Sequence, residues 1–258
     1  MDFTNMRNLL VVYCLFGATA LVSGHGGRIV SGEPAEDHEF PALASLHVNG
    51  SHYCGANVLN ERWLLTAAHC VIASGWSQQT ILAGTNSQTS GGSVHQVEQV
   101  IIHENYTGMP VFFADIALIR VSPPLPLDGV TVSTVGLPTQ GQETEDRAAG
   151  VAAGWGYLSS DYGNETLAPW LQKLYVIVIN NEECQKDYRF NIILPEHICA
   201  GNPQPRHGVC GGDSGGPLYV DGLLVGTVDF SQYCGGITPP SVFTRVASFV
   251  DWIHNNIQ

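Results

Sequence analysis

The sequence predicts an all-β protein that ends in one α-helix. Two observations carry the β prediction. Short apolar runs follow one another along the chain, and 29 glycines and 14 prolines punctuate them; that is the pattern of strands separated by tight turns. A third observation places the helix. Val246, Phe249, Val250 and Ile253 fall at i, i+3, i+4, i+7, the spacing of one helical face.

The strands read in order. Ala42 to Val48 is β-compatible and stops at Asn49-Gly50, a hairpin signal. Tyr53 to Leu59 and Trp63 to Thr66 read as buried strands, followed by Ile81 to Gly84, Val94 to Ile102 and Ile116 to Val121. In the Val94 run, Val94, Gln96 and Glu98 alternate with His95, Val97 and Gln99, which predicts one solvated edge. Pro123-Pro124-Leu125-Pro126-Leu127 cannot serve a central strand and reads as the connection between two halves. The second half offers Gly150 to Gly156, Leu171 to Ile179, Pro217 to Val220, Leu223 to Val228 and Ser241 to Val246. No repeat of fixed period is visible.

The 258 residues, 44% of them hydrophobic and 13% charged, suit one large domain or two small packed ones. A formal net charge of −13 argues against a nucleic-acid partner. At the N-terminus Arg7 precedes an apolar run from Leu9 to Phe16 and then small residues, the pattern of a secretory signal peptide over 1–24, cleaved after Gly24. That run is shorter than the roughly 20 residues of a membrane span, and no later stretch is long enough to span, so no membrane association is expected. Cys14 belongs to the leader. The other six cysteines are an even number in an oxidising compartment and suggest three disulfides, with 15 pairings open on sequence alone. No Cys-x-x-Cys or His-x-x-x-His spacing occurs, so no metal and no cofactor are expected. Asn49, Asn105 and Asn164 head glycosylation sequons in expected loops.

Three motifs carry chemistry. Gly211-Gly212-Asp213-Ser214-Gly215-Gly216-Pro217 holds a serine between glycines, whose backbone can turn N–H groups toward an oxyanion. Thr66-Ala67-Ala68-His69-Cys70 presents a histidine, whose ordinary pKa suits proton transfer in both directions. Ala114-Asp115-Ile116-Ala117-Leu118-Ile119 sets an aspartate at the head of an apolar strand. Each alone has a structural explanation. Together, in the order His, Asp, Ser, they resemble the trypsin/chymotrypsin family of serine proteases from Ile29 to the C-terminus.

The resemblance implies a fold of two packed six-stranded antiparallel β-barrels with the C-terminal helix, the first running from about Ile29 to Val121. It implies Ser214 as nucleophile, His69 as general base, Asp115 as the group that orients it, and the N–H groups of Gly212 and Ser214 as oxyanion hole. It pairs Cys54 with Cys70, Cys184 with Cys199 and Cys210 with Cys234. Residues 25–28 become an activation propeptide before a protease domain over 29–258: cleavage after Arg28 by a trypsin-like protease frees the amine of Ile29, which pairs with Asp213. The nine histidines other than His69 receive no role.

The resemblance also implies a secreted monomer acting on protein or peptide substrates and met by protein inhibitors. The base of its specificity pocket falls at Gly208, with Val209, Ser231 and Ser241 as walls. None is acidic, so the expected preference is for large apolar residues, as in chymotrypsin; elastase-like cleavage after small residues is the alternative. A catalytically weak or inactive homologue acting by binding is the other. The chain departs from the family pattern in several places. Ser31 replaces the usual Gly of the Ile-Val-x-Gly start, and Ala114 stands where Asn is common. The calcium loop some members carry is not expected, since Leu82 to Val97 holds no acidic residue. In Val228-Asp229-Phe230, Asp229 replaces the serine whose hydroxyl usually meets the catalytic aspartate. If Asp229 reaches Asp115, one of the two carboxyl pKa values is expected to rise.

Overall fold

The computed structural model describes residues 32–72, 78–159, 166–204, 207–234 and 239–257. The first closed barrel is built from β2 (Leu43–Val48), β3 (Ser51–Val58), β4 (Trp63–Thr66), β5 (Gln79–Ala83), β6 (Ser93–Ile102) and β7 (Ala117–Ser122), hydrogen-bonded in the order β2-β3-β4-β7-β6-β5 and closed by β2 with β5. Asn49 and Gly50 turn β2 into β3 with φ of 51° and 79°. Two positive φ values in a two-residue loop match the twist of the flanking strands, which is why Asn-Gly suits it. The alternation read in β6 is present: His95 and Val97 point inward and Val94, Gln96 and Glu98 outward. A register shift between Val97 and Gln99 ends it, so Gln99 is exposed too.

The second barrel contains β8 (Ala149–Gly154), β9 (Gln172–Ile179), β10 (His197–Gly201), β11 (Pro217–Val220), β12 (Leu223–Phe230) and β13 (Ser241–Arg245). The order β9-β10-β13-β12-β11-β8 is closed by β8 pairing with β9. A two-residue strand, β1 (Glu33–Pro34), adds to β9. This corrects the expected start of the first barrel. Glu33 and Pro34 belong to the second sheet, where buried Lys173 reaches Glu39 at 2.7 Å and Glu33 at 3.5 Å.

Each barrel has an apolar interior. Leu46, Val58, Leu64, Ile81, Ile119 and Val121 fill the first, and Val176, Val178, Ile198, Leu218, Val228 and Phe243 the second. A third cluster lies outside the first barrel, where Trp63, Leu65, Ile116 and Leu118 meet Val246, Phe249, Val250 and Ile253. The C-terminal helix therefore covers the first barrel although it follows the last strand of the second. It is shorter than its spacing suggests. Val246–Ser248 is a 3-10 turn, and the α-helix α3 spans Val250–Asn256. Seven residues are too few to hold a helix alone; burial of Val250 and Ile253, worth about 1.5–3 kcal/mol each, holds this one.

Two further short helices anchor disulfides. α1 (His69–Ile72) carries Cys70, bonded to Cys54 on β3. α2 (Asn181–Asp187) is capped by Asn180, whose side chain accepts the Glu183 N–H, and carries Cys184, bonded to Cys199 on β10. Cys210 and Cys234 form the third bridge. All three pairs are those the family pattern implied.

Candidate active site

The histidine is placed by buried neighbours. β4 runs into Ala67 and Ala68, both fully buried, and α1 begins at His69, with Cys70 tied back to β3. The His69 ring keeps a partly exposed edge, at 25%. Asp115 is fully buried and takes two hydrogen bonds from this one residue. The His69 backbone N–H donates to Oδ1 at 2.8 Å and ring Nδ1 to Oδ2 at 2.5 Å. The proton therefore sits on Nδ1, and Nε2 is left as the basic atom on the exposed side. The Asp115 carbonyl accepts from Thr244 Oγ1 at 2.9 Å, which ties the segment leading into β7 of the first barrel to β13 of the second.

Ala114 has φ of 53°. A non-glycine side chain in the left-handed region costs about 1–2 kcal/mol, and Asn tolerates it better than Ala. The usual Asn of the family pattern therefore has a conformational reason, and this chain carries strain beside Asp115.

The Ser214 loop is threaded by glycines. Gly212 and Gly215 have φ of 94° and 71°. The Ser214 carbonyl accepts the Gly55 N–H at 2.8 Å, and the Gly215 carbonyl accepts from Asn57 Nδ2 at 2.9 Å. A Cβ on Gly215 would strike Thr66 Oγ1 and lie 2.6 Å from the Gly55 carbonyl. Only glycine lets this loop approach the strand that leads to His69. The structure thus brings the Ser214 loop against the His69 segment. No hydrogen bond joins the Ser214 hydroxyl to His69 Nε2 among the described residues. Such bonds often tighten only when substrate binds.

Asp213 is buried under the same loop. Its carboxylate accepts the Gly156 N–H at 2.8 Å and the Cys210 N–H at 2.9 Å, and burial pushes its pKa up to about 6. Ile29 and Arg28, the expected activation residues, lie outside the described residues. Gly154 and Gly156 make the space: a Cβ on either would overlap the Asp213 carboxylate. Sequence reading did not single out these glycines.

It also passed over two histidines. His52 Nε2 donates to the Gly212 carbonyl at 2.8 Å, while its Nδ1 accepts from Ser45 Oγ at 2.6 Å. Burial pulls its pKa down to about 4, so a neutral ring holds the Gly212 loop. His197 is packed beside Asp229, with Nε2 3.6 Å from Oδ2.

The expected pocket residues are partly brought together. Gly208 and Val209 are buried next to the Cys210–Cys234 bridge. Phe230 pairs with Val242, a register that places Ser231 opposite Ser241 at the strand ends. Ser231 Oγ donates to the Tyr233 carbonyl at 2.8 Å and Ser241 is 7% exposed. Asp229 does not serve this pocket, since its carboxylate turns toward Asp115, Thr244 and His197. Asn49 and Asn105 are exposed, and Asn164 lies outside the described residues.

Residues 29–253 match a family model described as Trypsin. Transmembrane protease serine 11C of Mus musculus is 33% identical over 246 residues, covering 93% of this chain and 56% of that protein. The chain thus spans little more than half the length of this relative. Among solved structures, human heparin binding protein superposes with a TM-score of 0.77 at 28% identity, over 89% of this chain and 98% of that one. Neuropsin, a serine protease expressed in the limbic system of mouse brain, gives 0.79 at 29% identity, over 88% and 99%.

The space over Asp213 makes a prediction. Gly156→Ala should force the carboxylate out of its seat and lower kcat/KM by at least about 100-fold, the scale of losing an oxyanion donor. It should also destabilise the fold by about 1–3 kcal/mol. A steady-state assay with thermal melting checks both.

Proposed function

We propose that this chain, which belongs to the trypsin family, is a secreted serine endopeptidase made as an inactive precursor. The observation that carries the reading is the two-point grip of Asp115 on His69, with the Ser214 loop docked beside it. In the proposed reaction Ser214 Oγ bonds to the scissile carbonyl carbon while His69 Nε2 takes its proton. The oxyanion that forms faces the N–H groups of Gly212 and Ser214. Collapse breaks the C–N bond, and the proton on His69 passes to the leaving amine. Water, deprotonated by His69, then attacks the acyl-enzyme and releases Ser214.

In the same reading residues 1–24 are a leader and 25–28 a propeptide. A trypsin-like protease cuts after Arg28, and the freed Ile29 amine meets Asp213. Until then a carboxylate this deeply buried lacks a cation, which is costly. The three disulfides agree with an oxidising compartment, and no helix among the described residues is long and apolar enough to cross a membrane. Glycans on Asn49, Asn105 and Asn164, a monomeric state and inhibition by protein inhibitors belong to this proposal too.

For specificity, an uncharged pocket of Gly208, Val209, Ser231 and Ser241 favours Phe, Tyr, Leu or Met before the scissile bond, because a substrate cation would be buried unpaired. A homologue that acts by binding is the second reading, favoured by Asp229 and by the likeness to heparin binding protein. A net charge of −13 opposes a polyanionic ligand of that kind for this chain.

Two experiments check the reading. Ser214→Ala and His69→Ala should each lower kcat by about 10⁴-fold or more, with the double variant adding little, since the two act as one unit; near-normal hydrolysis by Ser214→Ala would falsify the mechanism. With succinyl-peptide nitroanilides ending in Phe, Leu, Ala and Arg, the first two should give the highest kcat/KM and Ala a lower one. An Arg substrate in first place contradicts the pocket assignment, and Ala in first place makes the enzyme elastase-like.

A further inference from the structure

Asp229 lies within β12 at a break in its pairing with β13. Val228 pairs with Phe243 and Phe230 with Val242, so Asp229 is the extra residue of a bulge. A bulge re-aims a side chain, and here the carboxyl is turned into the interior with none of its side chain exposed. Oδ2 lies 3.4 Å from Thr244 Oγ1 and 3.6 Å from His197 Nε2. One carboxylate oxygen each from Asp229 and Asp115 and a ring nitrogen of His69 lie within 4.8 Å of one another. Oδ1 of Asp229 has no hydrogen-bond partner among the described residues.

Among the described residues no cation faces this carboxyl. His197, on β10, accepts the Leu194 N–H at Nδ1, so its only ring proton is on Nε2, which faces the Phe112 carbonyl at 3.3 Å. Burial also lowers the His197 pKa, and the ring stays neutral. Arg245, on β13, spends its guanidinium on the carbonyls of Pro195 and His197. The hydroxyls of Tyr106 and Tyr188 are pushed upward and keep their protons. Thr244 already donates to the Asp115 carbonyl, which leaves its oxygen able to accept. Asp115 is already engaged by two N–H groups of His69, whereas none of these points at Asp229. Two carboxylates this close cannot both ionise cheaply without a cation.

We propose that Asp229 is a positioning residue that stays a neutral carboxylic acid at the pH of catalysis and donates a hydrogen bond to the Asp115 carboxylate. It thereby replaces the serine hydroxyl of the family pattern and keeps a single negative charge behind His69. Its protonation follows from burial first and the Asp115 charge second, both of which push the Asp229 pKa well above the carboxylate range. The positioning role rests on the endopeptidase reading, whereas the location of the proton does not.

The test uses activated enzyme with Asp229→Asn and Asp229→Leu. Asn has the same shape and is a permanent neutral donor, so kcat/KM should stay within about threefold and the acid limb of its pH profile within about 0.3 units of wild type. Leu removes the donor and should lower kcat about tenfold with KM unchanged, the scale of one lost hydrogen bond. An acid limb that moves down by about a unit or more in the Asn variant overturns the proposal, because it would mean that a negative charge had been removed. So does an Asn variant that folds yet loses as much as the Leu variant. A second readout needs no activity. In the Ser214→Ala protein at pH 7, an infrared difference spectrum against the same protein carrying Asp229→Asn should show the carbonyl stretch of a protonated carboxyl. Carboxylate bands alone would overturn the proposal even in a protein that proved to be no protease.

Discussion

The contact on which the rest depends is the meeting of Gly55 with Gly215 and Gly216. The Gly55 N–H donates to the Ser214 carbonyl at 2.8 Å, and a Cβ on Gly55 would lie 2.7 Å from Gly216 Cα. Strand β3 of the first barrel meets the turn that leads into β11 of the second here without side chains between them. His69 and Asp115 come from the first barrel and Ser214 from the second, so neither barrel holds a complete site. In the proposed reading this backbone contact holds Ser214 and His69 on facing elements. Thr244, reaching from β13 to the Asp115 carbonyl, adds a second tie across the same boundary.

The interior then manages three buried carboxyl groups in three ways. Asp115 is balanced by His69, which gives it both a backbone and a ring N–H. Asp213 has two backbone N–H donors and no cation among the described residues, and burial pushes its pKa up to about 6. In the proposed reading the Ile29 amine supplies the cation, which makes cleavage a change in the charge balance of the oxyanion loop. Asp229 has neither a cation nor a set of donors, and the cheapest state for it is neutral. His52, also neutral, holds the Gly212 carbonyl and so braces the same loop from the first barrel. The chemistry thus depends less on how many charges surround the site than on which of them remain ionised.

Much of this was legible in the chain because the signals are local. The Asn49-Gly50 hairpin, the proline break after Ser122 and the alternation in β6 each sit within a few residues. The three chemical motifs were readable because each is short and their order is distinctive. What was not legible depends on distant contacts. Glu33 and Pro34 carry no sign that they pair with Lys173 and Gln172. His52 meets Gly212 across 160 positions, and nothing beside it in the sequence marks it. Gly154 and Gly156 look like ordinary strand-end glycines until Asp213 is placed beneath them. The C-terminal helix was read one turn too long because Val246 is buried by the same neighbours as the helix, although its backbone forms a 3-10 turn. Asp229 was visible as a departure, but its orientation toward Asp115 required the bulge in β12.

The central claim is that Ser214 is a nucleophile activated by His69 once the chain is cut. Its most direct test is labelling with a fluorophosphonate probe, followed by mapping of the modified residue. Protein cut between Arg28 and Ile29 should take up one probe per chain, on Ser214, with the uncut protein and the cut His69→Ala protein labelled at least about 100-fold more slowly. Equal labelling before and after the cut, labelling of the cut protein that survives loss of His69, or a folded and cut protein that takes up no probe would contradict it.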